Sequence, residues 1–325
     1  MKDVEMKMLE RAKALLESGE VARVIGWKKG EFCYDPTPAS FESVDELKDF
    51  VYNYFCGANL SKYLIQMSKK EGKTAVFLKP CDTYSFNQLV KEHRINRENV
   101  YVIAVECLAK LDIEKIKAKG VSGVTGVEVE GKDVKVSTLF GETTLSKPEV
   151  VLTKCFTCDK THQVKDEEII LHERPVRDVN RFEEVEKLEA MTEDERFAFW
   201  REQLSKCIRC NACRNVCPAC SCVKCVFDNP ASGIAAKAND DKFEEQLFHI
   251  IRAFHVSGRC TDCGECSRVC PQNIPLHLLN RKFIKDINSL YGEYQAGETD
   301  EGKTPLTSYT EGDVEPKDVF NGEAK

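Results

Sequence analysis

The sequence predicts an α/β domain followed by an all-α domain, and three observations carry that reading. Apolar strand-like runs alternate with amphipathic helical segments through the first half. The second half keeps the helical pattern and has no such runs. It is also divided by two cysteine runs of identical spacing between Cys207 and Cys270. A chain of 325 residues suffices for two ordinary domains, and a hydrophobic content of 42% lets each bury a core.

The elements follow in order. MKDVEMKMLERAKALL reads as a charged amphipathic helix ending near Gly19, with a strand over residues 21–27. Ser43 and Glu46 have capping-box spacing and predict a long helix reaching Lys69. Residues 74–79 (TAVFLK) predict a strand, 84–93 a helix and 101–106 (YVIAVE) another strand. A short helix comes next, then a hairpin through VTGVEVEGKDVKVSTLF with Gly131-Lys132 at the turn. Residues 149–153 (EVVLT) are expected as the last strand. A charged stretch from Asp159 to Ala190, including Pro175, reads as the connection. Thr192 and Glu195 then cap a helix with Phe197, Trp200 and Leu204 on one face. A further helix over 240–255 carries an apolar stripe of Phe243, Leu247, Ile250, Ile251 and Phe254, read as core packing. The expected division is 1–165 for the α/β domain, 166–190 for a linker, 191–290 for the helical domain and 291–325 for a tail.

The net charge of −7 and the absence of a basic block exclude a nucleic-acid surface. Acidity concentrates from Ala296 onward, where eight Asp or Glu face three Lys, so a solvated, weakly ordered arm is expected there. The start has no signal-peptide pattern, and no stretch reaches the ~18–20 apolar residues of a membrane span. The expectation is therefore a cytoplasmic protein with reduced thiols. In that setting 17 cysteines read as metal ligands rather than disulfides.

The two runs are Cys207-x2-Cys210-x2-Cys213-x3-Cys217-Pro218 and Cys260-x2-Cys263-x2-Cys266-x3-Cys270-Pro271. A cubane iron–sulfur cluster needs four converging thiolates, of which a tight loop supplies three. In two-cluster modules the fourth cysteine of each run serves the other cluster. The expected sets are Cys207, Cys210, Cys213 and Cys270 for one [4Fe-4S] cluster, and Cys217, Cys260, Cys263 and Cys266 for the other. Paired C-x2-C motifs also suit zinc, but the triple spacing and the Cys-Pro endings favour iron–sulfur.

In the α/β half, Cys81 follows TAVFLK, Cys107 follows YVIAVE, and Cys155 and Cys158 follow EVVLT. Ligands of open α/β sheets bind beyond the carboxyl ends of the strands, so these four thiols are a candidate third [4Fe-4S] site. Alternatively, Cys81 and Cys107 are small buried hydrophobes; the Cys155-x2-Cys158 spacing favours the ligand reading. Cys220, Cys222 and Cys225 are expected in non-ligand roles such as thiol hydrogen bonding, and Cys33 and Cys56 in packing or near a partner surface. The six histidines lack ligand spacing, so no mononuclear metal site is expected. Lys206, Arg209, Arg214 and Arg268 flank the runs, either offsetting cluster charge or as ordinary surface charge.

KPCDTYSF at residues 79–86, VEC at 105–107, KCFTC at 154–158 and LLESGEVARVIGW near the start resemble the deazaflavin-coenzyme hydrogenase/dehydrogenase β-subunit family. The second half is similar to the sulfhydrogenase β subunit and to its counterpart in anaerobic sulfite reductase, including the extension Cys217-Pro218-Ala219-Cys220-Ser221-Cys222. Its long insert between the runs resembles α-helical dicluster ferredoxin domains. The resemblance implies an electron-transfer subunit that is not itself catalytic, in a heteromeric complex. Its partners would be a flavoprotein handling NAD(P)H or a deazaflavin, a hydrogenase-, heterodisulfide-reductase-like or other reductase subunit, and ferredoxin. It also supports the third cluster. An alternative is an FAD-containing subunit that itself oxidises or reduces the coenzyme. The glycine-rich N-terminal stretch and the Asp-Ile-Ser segment of that family are absent here, and Gly57 in FCGANLSKY is the nearest phosphate-cradle candidate. An iron–sulfur redox sensor is a third reading, disfavoured by the lack of a basic or helix-turn-helix segment.

Overall fold

The computed structural model describes residues 1–159, 163–170, 179–229, 231 and 242–306. The first half is built on a five-stranded sheet and a smaller antiparallel one. Its strands are β1 (Arg23–Lys28), β2 (Thr37–Phe41), β3 (Thr74–Leu78), β4 (Val100–Val105), β5 (Val124–Glu130), β6 (Asp133–Thr138), β7 (Gly141–Ser146) and β8 (Glu168–Ile170). The main sheet has the order β2-β1-β3-β4-β8, with β2 antiparallel at one edge and the others parallel. β3 and β4 are almost wholly buried, as parallel strands covered on both faces must be. The helix Lys2–Glu17 lays Val4, Met8, Ala12 and Leu15 into the core as one stripe. From the same helix Arg11 reaches Glu168 of β8 at 2.6 Å.

Register fixes where the chemistry falls. β3 pairs Val76 with Val102 and Leu78 with Ala104, so the carboxyl ends of β3 and β4 share an edge. Cys81 and Cys107 follow those ends. The helix Pro80–Lys91 starts earlier than expected because Pro80 occupies its first turn, where no N–H donor is needed.

Several expectations for this half are corrected. The helix expected from Ser43 to Lys69 is instead two 3-10 turns, Asp45–Asp49 and Ser61–Tyr63, and a short helix, Leu64–Met67. Glu46 accepts from the Glu42 N–H at 2.9 Å rather than capping Ser43. Phe50 packs on Phe41 and Phe77, the Val51 N–H bonds the Trp27 carbonyl at 2.9 Å, and the Tyr52 hydroxyl donates to the Glu106 carbonyl at 2.5 Å. Aromatic burial along the sheet outweighs helix pattern there. Residues 149–153 form no strand: they end the helix Lys147–Val150, bridge Leu111 to Val151 and enter the helix Thr153–Phe156. The fifth strand is β8, inside the stretch read as linker, and β7 adds an unexpected third strand to the hairpin. Residues 171–178, with Pro175, lie outside the described residues.

The second half is helical, with Glu183–Glu189, Glu193–Leu204, Ala212–Val216, Lys242–His255, Glu265–Arg268 and Leu276–Tyr291. The capping box of Thr192 and Glu195 forms reciprocally. The helix Lys242–His255 is turned partly away from expectation, since of the predicted stripe only Leu247 and Ile251 are half-buried, Ile251 against the core. Phe243, Ile250 and Phe254 are exposed, while Glu245, Phe248, His249, Arg252 and Ala253 are buried. Trp200, Ile250, Leu279 and Phe283 line an open apolar groove of about 450 Å³ beside it. The physical reason for this orientation is that the cysteine loops occupy the inner side and carry polar requirements of their own.

The acidic stretch from Ala296 does not begin as a solvated arm. Ala296 is buried, the Tyr294 hydroxyl donates to the Gly258 carbonyl at 3.1 Å, and Asp300 pairs with Lys165 at 2.8 Å. Gly297, at φ +77°, crosses so close to the Tyr84 carbonyl that a side chain would have no room. Small residues let this strap lie flat; residues 307–325 lie outside the described residues. No helix among the described residues is long and apolar enough to cross a membrane.

Candidate metal centre

The two cysteine runs fold as copies of one loop. Two and four residues after the first cysteine, each turns left-handed: Arg209 (φ +51°) and Asn211 (+60°) in the first, Asp262 (+57°) and Gly264 (+67°) in the second. Such values are uncommon for residues other than glycine, and their repetition marks a shared demand on the backbone. A short helix follows each, Ala212–Val216 and Glu265–Arg268. Each run closes with the same turn, Cys220 N–H to Cys217 O at 3.1 Å and Asn273 N–H to Cys270 O at 3.0 Å. The Arg209 N–H also points to the Cys207 sulfur at 3.4 Å.

Thiols of the two runs interleave. Burial pushes the Cys213 thiol up, and Cys270, Cys210 and Cys217 push it further. Burial also raises Cys266 to about 12 and Cys260 well above its ordinary value, with Cys217 adding to both. Cys263 is raised by burial, then Glu265 and Cys217. Cys217 thus influences all of Cys260, Cys263 and Cys266, and Cys270 lines one small pocket with Cys207, Cys210 and Cys213. So many buried thiols penalise one another as free thiolates, which suits a polycationic iron–sulfur core that takes them all deprotonated.

The polar face of the helix Lys242–His255 backs this module. His249 Nε2 lies 3.2 Å from the Cys207 sulfur, and Glu245 pairs with Arg209 at 3.4 Å. Cys207, Glu245 and His249 bring their ligand-type atoms within 4.8 Å of one another. Sequence reasoning finds no histidine with ligand spacing and misses this group; the Glu245-x3-His249 interval is the signal that could have found it. Arg252 donates to the Cys213 carbonyl at 3.1 Å. Burial opposes its charge, but Cys217, Cys220, Cys266 and Cys213 more than restore it.

In the α/β half the same edge gathers Cys81, Cys107, Cys155 and Cys158, though by a different route. β3 and β4 bring the first two, and the helix Thr153–Phe156 with the turn after it brings the others. Burial raises Cys155 to about 11, with Cys107 and Cys158 adding to it, and Cys158 also raises Cys81. Three buried lysines surround this group, none anticipated as such. Lys79 pairs with Asp82 at 2.7 Å and sits 4.5 Å from the Trp27 ring centre. Lys154 donates to the Gly57 carbonyl at 2.7 Å and pairs with Glu265 of the second run. Lys110 donates to the Asn53 carbonyl at 2.8 Å and stands 3.9 Å from the Tyr52 ring centre. No carboxylate among the described residues forms an ion pair with Lys110. Burial lowers its affinity for a proton, and Cys107, Cys56 and Cys155 are the groups that raise it. A buried ammonium whose only neighbouring groups able to carry negative charge are thiols, among those that raise its pKa, fits an anionic thiolate-ligated group.

The remaining candidates sort simply. Cys220 shares a hydrogen bond with Cys217, which holds the Cys217 thiol well below its usual range and raises Cys220. Cys222 is exposed and Cys225 half-buried. Cys56 is buried in the α/β core, taking the Asn53 N–H at 3.3 Å, and Cys33 faces the Val124 carbonyl. At Gly57 the N–H bonds the Phe55 carbonyl at 2.7 Å, the carbonyl holds Lys154, and a Cβ would meet Leu152 and Arg268. Of the flanking cations, Arg268 pairs with Glu265 at 2.7 Å and Arg214 with Asp228 at 2.8 Å, while Lys206 stays at the surface beside Glu202.

Residues 203–274 match the family model described as a 4Fe-4S dicluster domain. The chain is 24% identical over 335 aligned positions to the F420-dependent formate dehydrogenase subunit beta of Methanocaldococcus jannaschii, covering 84% of this chain and 87% of that one. It is 34% identical over 95 residues to the F420-dependent formate dehydrogenase 1 subunit beta of Methanococcus maripaludis, covering 29% of this chain and 24% of the relative. Among solved structures, the F420-reducing [NiFe] hydrogenase complex from Methanosarcina barkeri overlays at a TM-score of 0.35 and 14% identity, over 47% of this chain and 62% of the other. The chain carries an iron–sulfur domain, a dicluster ferredoxin domain in its second half. More particularly, it is similar over most of its length to the β subunit of an F420-dependent formate dehydrogenase.

Proposed function

We propose that this chain is the iron–sulfur electron-transfer subunit of a soluble anaerobic oxidoreductase complex. It would relay electrons between a subunit handling a flavin and NAD(P)H or a deazaflavin and a hydrogenase, heterodisulfide-reductase-like or other reductase subunit. The relatives named above are themselves subunits of F420-dependent formate dehydrogenases.

The observation that carries the reading is the continuity of the three cysteine groups. Lys154 adjoins Cys155 in the first half and pairs with Glu265, which lies between Cys263 and Cys266 in the second. In this reading Cys207, Cys210, Cys213 and Cys270 hold one [4Fe-4S] cluster and Cys217, Cys260, Cys263 and Cys266 a second. Cys81, Cys107, Cys155 and Cys158 hold a third. Bound cubanes supply one-electron redox chemistry. The chain's own residues supply thiolate ligands, buried cations that offset their charge, and a packed junction that excludes water between the groups.

Iron and acid-labile sulfide analysis, with EPR of the reduced full chain, tests this directly. About twelve irons per chain are expected for three cubanes. About eight would remove the first-half cluster, and none would remove the relay. Flavin released on acid precipitation at about one per chain would replace the relay with an enzyme that handles the coenzyme itself.

A further inference from the structure

The helix Lys242–His255 buries three ionisable residues, Glu245, His249 and Arg252, beside Phe248 and Ala253, and leaves Phe243, Ile250 and Phe254 exposed, unlike an ordinary amphipathic surface helix. Glu245, His249 and Arg252 lie three or four residues apart, so they form one stripe. That stripe contacts the first cysteine loop, and Phe248 between its members packs in one cluster with Cys213 of the first run and Cys266 of the second. His249 Nε2 is 3.2 Å from the Cys207 sulfur, and the ring is closed in by Phe248 at 5.0 Å between centres. Arg252 is 4% exposed, and no carboxylate among the described residues forms an ion pair with it. It donates to the Cys213 carbonyl at 3.1 Å, and the thiols that sustain its charge are Cys213 and Cys217 of the first run, Cys266 of the second and Cys220 just beyond the first. Its Nε has no hydrogen-bond partner among the described residues. Desolvating a guanidinium without a carboxylate is costly, so a stable fold needs negative charge nearby from another source.

We propose that this buried stripe sets the reduction potentials of the two-cluster module, with His249 acting on one cluster through an N–H···S bond to Cys207 and Arg252 acting on both through one shared charge. The proposal rests on the cluster reading given above. Reduction adds negative charge to a cluster. An N–H donor on a ligating sulfur, or a fixed cation, stabilises the reduced form more than the oxidised one and moves the potential upward. His249 and Arg252 are positioning residues in this sense, since neither needs to ligate iron.

EPR-monitored redox titration of the full chain with its clusters in place tests the assignment. His249→Leu should shift the midpoint of one module cluster to more negative potential and leave the other where it was. Arg252→Met should shift both in the same direction, and Arg252→Lys should restore most of that shift. If His249→Leu or Arg252→Met loses iron, His249→Gln, which keeps an N–H donor, and Arg252→Gln, which removes the charge, decide the matter. His249→Gln should then leave both midpoints nearly unchanged and Arg252→Gln should lower both. Iron-replete variants with wild-type midpoints, or an Arg252 variant that moves only one cluster, would overturn the proposal while leaving the clusters intact. A wild-type chain without iron in the module would instead remove the cluster reading itself.

Discussion

Lys154 and Glu265, 111 residues apart in sequence, form a buried ion pair that joins the α/β half to the second cysteine run. Burial opposes both charges. Glu265 together with the Cys81 thiolate more than restores the Lys154 ammonium, and Lys154 with Arg268 holds the Glu265 carboxyl far below the carboxylate range. Gly57 and Asn59 complete the knot, the carbonyl of one accepting from Lys154 and the N–H of the other donating to Glu265 at 3.2 Å.

Removing one partner should therefore cost more than removing both. Lys154→Met leaves a buried carboxylate next to Arg268 alone and should destabilise the chain by about 3–5 kcal/mol. Lys154→Met with Glu265→Gln should recover about 1–3 kcal/mol of that in denaturant unfolding. Because the folded carboxyl is depressed, its contribution is complete above the unfolded value of about 4.3 and declines as the pH falls below it. The folded ammonium is raised, so its contribution persists through about pH 10. Acid unfolding of wild type and the double variant should diverge only below about pH 4.

Gly264 and Asn211 occupy the same left-handed position in the two loops but face different surroundings. A Cβ on Gly264 would collide with Lys154, whereas Asn211 already carries a side chain. Gly264→Ala should cost at least about 1–2 kcal/mol from backbone alone, plus the clash. Asn211→Gly should stay within about 1 kcal/mol of wild type. Equal costs at the two positions would contradict the close approach of the halves.

Lys110→Met should act oppositely with and without iron. In the iron-free chain it removes a desolvated charge that no carboxylate among the described residues pairs with, and that relief should outweigh the lost bond to the Asn53 carbonyl and stabilise the chain. In the iron-loaded chain it removes the cation beside Cys107 and Cys155, so the first-half cluster should titrate at more negative potential. The module clusters should not move. Thermal unfolding of both forms, with EPR titration of the loaded one, reads this reversal.

His277 sits under the second run with Nδ1 2.8 Å from the Ser267 hydroxyl, and burial with Arg281 lowers it to about 4. The folded chain keeps it neutral while the unfolded chain protonates it near its ordinary value of about 6.5. Stability should therefore fall as the pH drops from about 6.5 toward 4, by up to about 1.4 kcal/mol per unit. His277→Gln should remove that share of the slope, measured as unfolding midpoint against pH.

Much of the molecule was written locally. The duplicated cysteine spacing, the Thr192–Glu195 capping box and the apolar runs of β3 and β4 depend on near neighbours, and sequence alone determined them together with the two-part architecture. Long-range packing decided the rest. Residues 43–69 carry a helical pattern but are drawn out by Phe50 and Tyr52 burying on the sheet. β8 is too short to announce itself and exists because β4 offers it an edge. The stripe on Lys242–His255 had the right periodicity, but Phe243, Ile250 and Phe254 are exposed while Ile251 reaches the core, because a hydrophobic pattern names a face without saying what that face meets. The same holds for Lys79, Lys110, Lys154 and Arg252, which look like surface cations in a list of residues. Asp82 and Glu265 offset Lys79 and Lys154, while Lys110 and Arg252 depend on the convergence of distant thiols, and no local signal encodes a charge balance assembled from segments far apart in the chain.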